Sequence, residues 1–144
     1  MTKTTILTLA LTVFLFSACK KDPTEPTCTK SMASISGPYK ITAAKYKASA
    51  ASSEEDWMLI LFPDACQRDD VYTFKNDGTY TISDVGTVCN PNNSDNGTWS
   101  IVGDNMQVDG DPTTIDSYDC KTLKIANTDL MNTGDRLQLT LTKQ

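Results

Sequence analysis

The residues most suggestive of catalysis are Asp69 and Asp70, because paired carboxylates can act as general acid and general base. They are adjacent and precede an alternating run at residues 71–75. Neighbouring side chains on a strand point to opposite faces, so these two carboxylates are a poor acid/base pair. The chain contains no histidine, which is the commonest general base, and no nucleophile-elbow or phosphate-loop motif. The sequence therefore predicts that the pair begins a strand, that no residue is catalytic and that the protein is not an enzyme.

A second group of side chains carries the oxygen atoms that hard cations prefer. The group comprises Asp104, Asn105, Asp109 and Asp111. Its spacing does not match the loop that forms a calcium cage, and the same residue types occupy turns for backbone reasons of their own. A structural zinc site is disfavoured because the chain has neither histidine nor Cys-x-x-Cys spacing. Turns are the favoured interpretation, and neither a metal nor a cofactor is predicted.

Cys19 stands in a different context from the other four cysteines. It follows an apolar run at residues 6–16 that is too short for a comfortable membrane span, which predicts a signal peptide at residues 1–18. The segment Leu15-Phe16-Ser17-Ala18-Cys19 resembles the lipobox of bacterial lipoproteins, in which a peptidase cuts before the cysteine and acyl chains are attached to it. The resemblance implies that Cys19 is lipidated and anchors the protein to a membrane.

The residues after Cys19 predict where the protein is held. In the enteric sorting pattern an aspartate at the next position retains a lipoprotein at the inner membrane, whereas this chain has Lys20. The cell envelope, and within it the outer membrane, is therefore the expected location, with the periplasmic or surface face left open. Residues 19–33 are rich in proline, threonine and lysine, which predicts an exposed tether between the anchor and a domain at residues 34–144.

The four remaining cysteines form an even set in a small exported domain, which suggests two disulfides. Of the three possible pairings, Cys66–Cys89 with Cys28–Cys120 is favoured because Cys66 and Cys89 bracket one hairpin. In the loop-entropy model the shorter loop contributes roughly 3.5 kcal/mol and the longer roughly 4.6 kcal/mol.

Turn signals separate short alternating runs along residues 34–144. The dipeptide Asp77-Gly78 between two such runs is a strong hairpin signal, because glycine supplies positive φ without a steric penalty. About eight alternating runs recur and none has helical spacing, which predicts an antiparallel all-β sandwich or barrel. Residues 43–53 are predicted to be a loop. The apolar run at 56–62 is predicted to be a buried strand, with a short helical turn as the alternative.

Aromatic side chains are candidates for the lining of an internal cavity. They are Trp57, Tyr72, Phe74, Tyr80 and Trp99. A small closed barrel either fills its interior with side chains or holds one small ligand. Core packing is the simpler interpretation, because protein interiors fill to crystal-like density. A buried tyrosine hydroxyl nevertheless needs a partner, which a ligand could supply. Both interpretations stay open.

The charge balance excludes one class of partner. The formal net charge is −5, and no cluster of lysine and arginine is interleaved with aromatic residues. An acidic domain of this kind repels nucleic acid.

A central motif extends through the predicted hairpin. It comprises Gly37, Tyr39, Cys66, Asp69, Asp70, Tyr72, Phe74, Asp77, Gly78, Thr79, Tyr80, Cys89, Gly97, Thr98 and Trp99. This motif resembles the lipocalin-like domains of small Gram-negative lipoproteins. The resemblance covers about residues 34–144. It implies an up-and-down antiparallel barrel of about eight strands and does not imply a ligand.

Two functions remain open from these observations. One is a non-enzymatic, membrane-anchored binding module that holds a small apolar ligand in or at the barrel mouth. The other is a structural lipoprotein that docks on another envelope protein through its loops, of which residues 85–95 form the longest polar example.

Overall fold

A computed structural model describes residues 28–144, so the predicted signal peptide and Cys19 lie outside the described residues. The strands of the single antiparallel sheet are β1 (Gly37–Lys47), β2 (Glu55–Asp56), β3 (Val71–Phe74), β4 (Thr79–Ser83), β5 (Asp95–Val102), β6 (Asn105–Val108), β7 (Asp111–Tyr118), β8 (Thr122–Thr128) and β9 (Arg136–Lys143). Pairing of β1 with β9 closes β1 and β3–β9 into a barrel, and β2 only extends one edge of β1. The predicted all-β, up-and-down barrel of about eight strands is confirmed.

The hairpin between β3 and β4 forms where the sequence predicts it. Phe74 lies opposite Tyr80, and Gly78 adopts a φ of 89° in the turn between them. The Asp77 carboxylate accepts hydrogen bonds from the backbone N–H and the hydroxyl of Thr79, at 2.9 and 2.7 Å. This is the local turn chemistry for which aspartate and glycine are favoured.

Strand β1 is longer than predicted, and the expectation of a loop at residues 43–53 is wrong for its first five residues. A bulge between Ile41 and Ala43 bends the strand, which pairs with β3 at its start and with β9 beyond it. Ala44 and Tyr46 are buried. Because Ala43 and Ala44 are adjacent and equally small, the sequence shows no alternation of apolar and polar side chains there. Pairing with β9, about a hundred residues later, decides that the segment is a strand.

The apolar run at 56–62 is not a buried strand, and that expectation is wrong. It forms the short helix α2 (Met58–Leu61), which is the alternative that the pattern allows. Leu59 and Ile60 are 67% and 62% exposed. The Asp56 carboxylate accepts a hydrogen bond from the Met58 N–H at 2.9 Å, which favours a turn over a continued strand.

The two ends of the barrel differ in how they are covered. At one end, here called the closed end, lie the short β3–β4, β5–β6 and β7–β8 turns and helix α1 (Met32–Ile35). At the other, the open end, lie the β4–β5, β6–β7 and β8–β9 loops and the long connection from β1 to β3. This division follows from the antiparallel order of the strands.

Helix α1 plugs the closed end. Ile35 is fully buried in the main core. The last carbonyl groups of a short helix lack partners within the helix, and here tyrosine side chains supply them. Tyr39 donates its hydroxyl to the Ile35 carbonyl at 2.7 Å, and Tyr118 donates to the Ser34 carbonyl at 2.5 Å. The plug is therefore fixed both by apolar burial and by directional bonds.

Two disulfides staple the domain in the favoured pairing. Cys28 and Cys120 lie 5.5 Å apart between their Cα atoms and tie the N-terminal segment to the β7–β8 turn at the closed end. Cys66 and Cys89, with Cα atoms 5.3 Å apart, join the β1–β3 connection to the β4–β5 loop at the open end. Residues 28–33, placed by the sequence at the end of the tether, thus contact the barrel.

Candidate functional site

An apolar cavity of about 230 Å³ occupies the half of the barrel nearer the open end. Alternation along each strand brings side chains from β1, β3, β4 and β6–β9 into it. The lining comprises Ile41, Tyr72, Phe74, Tyr80, Ile82, Val108, Thr113, Ile125, Ala126, Asn127, Leu137, Leu139 and Leu141. Three of the five aromatic residues predicted to line a cavity are therefore among its walls.

Phe74 forms the boundary between the cavity and the packed core at the closed end. Its ring centroid lies 6.0 Å from Tyr80, 5.9 Å from Tyr39 and 5.1 Å from Trp99, at inclined angles typical of aromatic pairs. Trp99 is 3% exposed and donates its Nε1–H to the Lys75 carbonyl at 2.8 Å. Trp99 thus belongs to the floor beneath the cavity, and the structure does not place it among the lining residues.

Trp57 lies outside the cavity as well. Its ring stacks on Tyr46, with centroids 3.8 Å apart and planes inclined by 21°. The contact packs the start of the β1–β3 connection against β1 near the open end. The sequence shows that Trp57 belongs to an apolar run. It does not show where β1 ends, and Tyr46 near that end is the residue against which Trp57 packs.

A hydrogen bond to a carboxylate fixes the side chain of Tyr80 in the cavity wall. Tyr80 donates its hydroxyl to Asp109 at 2.7 Å, and Asp109 also accepts the Thr98 N–H at 2.8 Å. Burial and the neighbouring carboxylate raise the pKa of Tyr80 to about 12. A Cβ at Gly97 would collide with the Asp109 carboxylate and the Tyr80 ring, so glycine is required where these groups meet.

The polar groups predicted as turn residues separate along the barrel. Asp104 and Asn105 lie at the closed end of β6, whereas Asp109 and Asp111 lie at its open end. The strand between them keeps these oxygen atoms apart. Within residues 28–144, no group of three or more histidine, cysteine or acidic side chains is arranged to hold a metal ion.

The adjacent carboxylates Asp69 and Asp70 lie at the open end, directly before β3. Asp70 is 1% exposed, and its Oδ2 accepts a hydrogen bond from Asn93 Nδ2 at 2.7 Å. Burial raises the pKa of Asp70, and the carboxylates of Asp84 and Asp69 add to that effect. Asp69 accepts the Thr87 N–H at 3.0 Å and so fixes the neighbouring loop. The two carboxylates have separate partners, consistent with strand entry and loop support.

Asn127 is the lining residue that sequence reasoning missed. It lies on β8 two positions beyond Ile125, and its Oδ1 is buried without a hydrogen-bond partner among the described residues. The signal for it was present in the sequence, because Leu123, Ile125 and Asn127 alternate with Lys124 and Thr128. From the sequence, an asparagine at this position indicates the end of a strand. Only the closed barrel shows that the strand includes Asn127 and that its side chain lines the cavity.

Comparison with known proteins gives a family. Residues 35–139 match the family model described as a lipocalin-like domain, and no curated protein matches the chain. No helix within residues 28–144 is long and apolar enough to cross a membrane. The match spans more than half of the chain and coincides with the closed barrel, and we conclude that this chain belongs to the lipocalin-like domain family.

Proposed function

We propose that this protein is a non-enzymatic lipoprotein of the cell envelope that binds a small apolar ligand inside its barrel. The observation that carries the proposal is the cavity of about 230 Å³ with leucine, isoleucine, valine and aromatic walls. Ligand sites are typically concave and mostly apolar, with few polar groups. An engineered apolar cavity of about 150 Å³ is enough to bind benzene. The barrel cavity of about 230 Å³ is therefore large enough for a ligand of roughly ten non-hydrogen atoms.

The anchoring part of the proposal rests on the lipobox-like segment ending at Cys19. Cys28 lies nine positions after Cys19, a distance of at most about 32 Å when the chain is fully extended. Cys28 is bonded to Cys120 at the closed end. An anchor at Cys19 would therefore hold the closed end within reach of the membrane. The mouth at the other end would remain free to exchange ligand with the aqueous compartment.

A pair of variants on β9 tests ligand binding. Leu139 lines the cavity and Thr140, its neighbour, faces away from it. We expect 1-octanol to bind the purified protein in isothermal titration calorimetry, Leu139→Trp to abolish that binding by filling the cavity, and Thr140→Trp to retain it. Absence of 1-octanol binding to the wild type, or equal effects of the two variants, would contradict the proposal.

Anchoring is tested separately by Cys19→Ser. The variant loses the acyl chains on which stable membrane attachment depends. We expect the protein to move from the membrane fraction to the soluble envelope fraction, with total abundance followed by immunoblot. Unchanged fractionation of the variant would refute lipidation at Cys19.

A second candidate function is docking on another envelope protein through the open end. Large apolar side chains are exposed on three of its loops, at Leu59, Ile60, Val88, Leu130 and Met131. Apolar side chains exposed at one end of a domain can form an interaction surface. In-cell crosslinking should capture a defined partner that is lost in Leu59→Gln/Ile60→Gln and kept in Val102→Gln, since Val102 is 56% exposed at the closed end. Recovery of monomer alone would exclude docking.

A further inference from the structure

The buried polar atoms without partners share one chemical property. Within residues 28–144 they are Asp69 Oδ1, Asp70 Oδ1 and Asn127 Oδ1. All three are oxygen acceptors, and all three belong to the open end of the barrel. A buried acceptor that lacks a donor raises the free energy of the protein. A ligand that brings a donor to this end would remove that penalty.

Asp70 is not itself a lining residue of the cavity, but it adjoins one along the inward side of β3. Along β3 and the residue before it, Asp70, Tyr72 and Phe74 share one side, and Tyr72 and Phe74 line the cavity. Asp70 therefore occupies the next inward position towards the mouth. Its Oδ2 is bonded to Asn93, which leaves Oδ1 as the free acceptor. Asn127 offers a second acceptor from β8, within the lining itself.

No positive charge opposes these acceptors from within the cavity, because its lining contains neither lysine nor arginine. The cations near the open end are engaged by other groups. Lys45 pairs with Asp56 at 3.2 Å, and Arg136 pairs with Asp116. Arg68, two residues before Asp70, donates to the Phe62 and Pro63 carbonyls, each at 2.8 Å. Burial raises the pKa of Asp70, and the nearby Asp84 and Asp69 add to that effect. A buried carboxylate that has an amide donor but no cationic partner gains most from a cationic hydrogen-bond donor.

We propose that the cavity selects apolar ligands whose polar end is a hydrogen-bond donor, with a primary ammonium preferred, and that Asp70 and Asn127 receive that end at the mouth. The proposal rests on the ligand-binding function above and adds the chemistry of the head group. The chain or ring of the ligand packs on the leucine and isoleucine walls. A carboxylate head is rejected because it would face buried acceptors and no donor cation.

Three eight-carbon ligands with different heads test the proposal on the wild-type protein. They are octylammonium, which is protonated at pH 7, 1-octanol and octanoate. We expect octylammonium to bind about tenfold or more tightly than 1-octanol, and octanoate to bind most weakly. Equal affinity of octylammonium and 1-octanol, or tighter binding of octanoate, overturns the proposal while ligand binding stands. Failure of all three to bind overturns both.

Matched variants separate the mouth from the general acidity of the surface. Asp70→Asn keeps an acceptor for Asn93 but removes the charge, and we expect the affinity ratio of octylammonium to 1-octanol to fall about tenfold. Glu54→Gln makes the same charge change at an exposed position of the open end, beside Lys47 in the β1–β3 connection, and should leave the ratio unchanged. Equal loss in both variants overturns the proposal. Butylammonium should bind much more weakly than octylammonium, and comparable binding of the two would assign the affinity to surface charge and overturn it as well.

Discussion

The hydroxyl of Tyr46 donates a hydrogen bond of 3.0 Å to the carboxylate of Asp135, a residue 89 positions later in the chain. Asp135 is fully buried. Its two oxygens also accept backbone N–H groups of the β8–β9 loop, from Leu130 at 2.8 Å, Met131 at 2.9 Å and Asn132 at 2.9 Å. Burial alone would raise the pKa of Asp135, but these four donors outweigh it and hold that pKa below its usual range. One carboxylate therefore shapes a loop of the open end and ties it to β1.

Replacement of this carboxylate should loosen the β8–β9 loop. In Asp135→Asn one oxygen acceptor becomes an amide, so we expect hydrogen exchange at the Leu130, Met131 and Asn132 amides to accelerate by about tenfold or more. In the wild type the protection should fade only as the pH falls below the usual aspartate range, because a lowered folded-state pKa stabilises above that range.

Two further variants in the same region serve as controls for Asp135→Asn. Tyr46→Phe keeps the stack on Trp57 and should give a smaller increase in exchange. Asp129→Asn changes a neighbouring carboxylate whose bond is to the Gly134 N–H, and its effect should stay near that residue. Unchanged exchange in Asp135→Asn would contradict the role given to the carboxylate.

The plug at the closed end should contribute measurably to stability. Ile35→Ala removes a fully buried side chain and should lower the free energy of unfolding by about 2–5 kcal/mol. Tyr39→Phe deprives the Ile35 carbonyl of its donor and should cost about 1–2 kcal/mol. Ala33→Ser, on the exposed side of the same helix, is the control and should change little. Chemical denaturation measures all three, and an Ile35→Ala cost no larger than that of the control would show that α1 is not docked in solution.

The two disulfides should stabilise to different extents because they close loops of different length. The Cys28–Cys120 separation is 92 residues and the Cys66–Cys89 separation is 23. The chain-entropy model gives about 4.6 and 3.5 kcal/mol for the two losses. We expect Cys28→Ala/Cys120→Ala to unfold at lower denaturant concentration than Cys66→Ala/Cys89→Ala. If Cys66→Ala/Cys89→Ala instead unfolded at the lower denaturant concentration, the chain-entropy account would be wrong. The Cys66–Cys89 disulfide would then stabilise the open-end loops of the native state directly.

Asp70 should make the ligand-free protein less stable as the pH rises. Its folded-state pKa is raised by burial and by Asp84 and Asp69, so the native state holds this proton more tightly than the unfolded chain. The resulting destabilisation begins above the usual aspartate pKa of about 3.9 and is complete above the raised folded-state value.

The isosteric variant Asp70→Asn reveals this contribution directly. It should have a higher unfolding midpoint than the wild type at pH 7, with the difference shrinking as the pH falls towards 4. Thermal unfolding monitored by circular dichroism across that range is the measurement. A difference that does not depend on pH would assign the effect to packing and not to the charge of Asp70.

The sequence by itself determined the all-β class, the main hairpin and the cysteine set. These features are local or countable: Asp77-Gly78 needs positive φ at one glycine, Leu137, Leu139 and Leu141 alternate along one strand, and cysteine number limits the pairings. Alternation also identified Tyr72, Phe74 and Tyr80 as inward-facing. None of these inferences needed knowledge of a distant residue.

Only the tertiary structure decided which inward side chains fill the core and which leave space. Alternation predicts which face of a strand a side chain occupies, but not its depth along the barrel axis. Trp99, which lies beneath the cavity, and Tyr72, which lies in its wall, were therefore both predicted to line it. Trp57 is not a lining residue, and it stacks on Tyr46 near the end of β1, a strand whose length is set by pairing with β9. Asp70 and Asn127 became candidate contacts only when barrel closure and the plugged end showed which end remains open, since that depends on bonds between residues far apart in the chain.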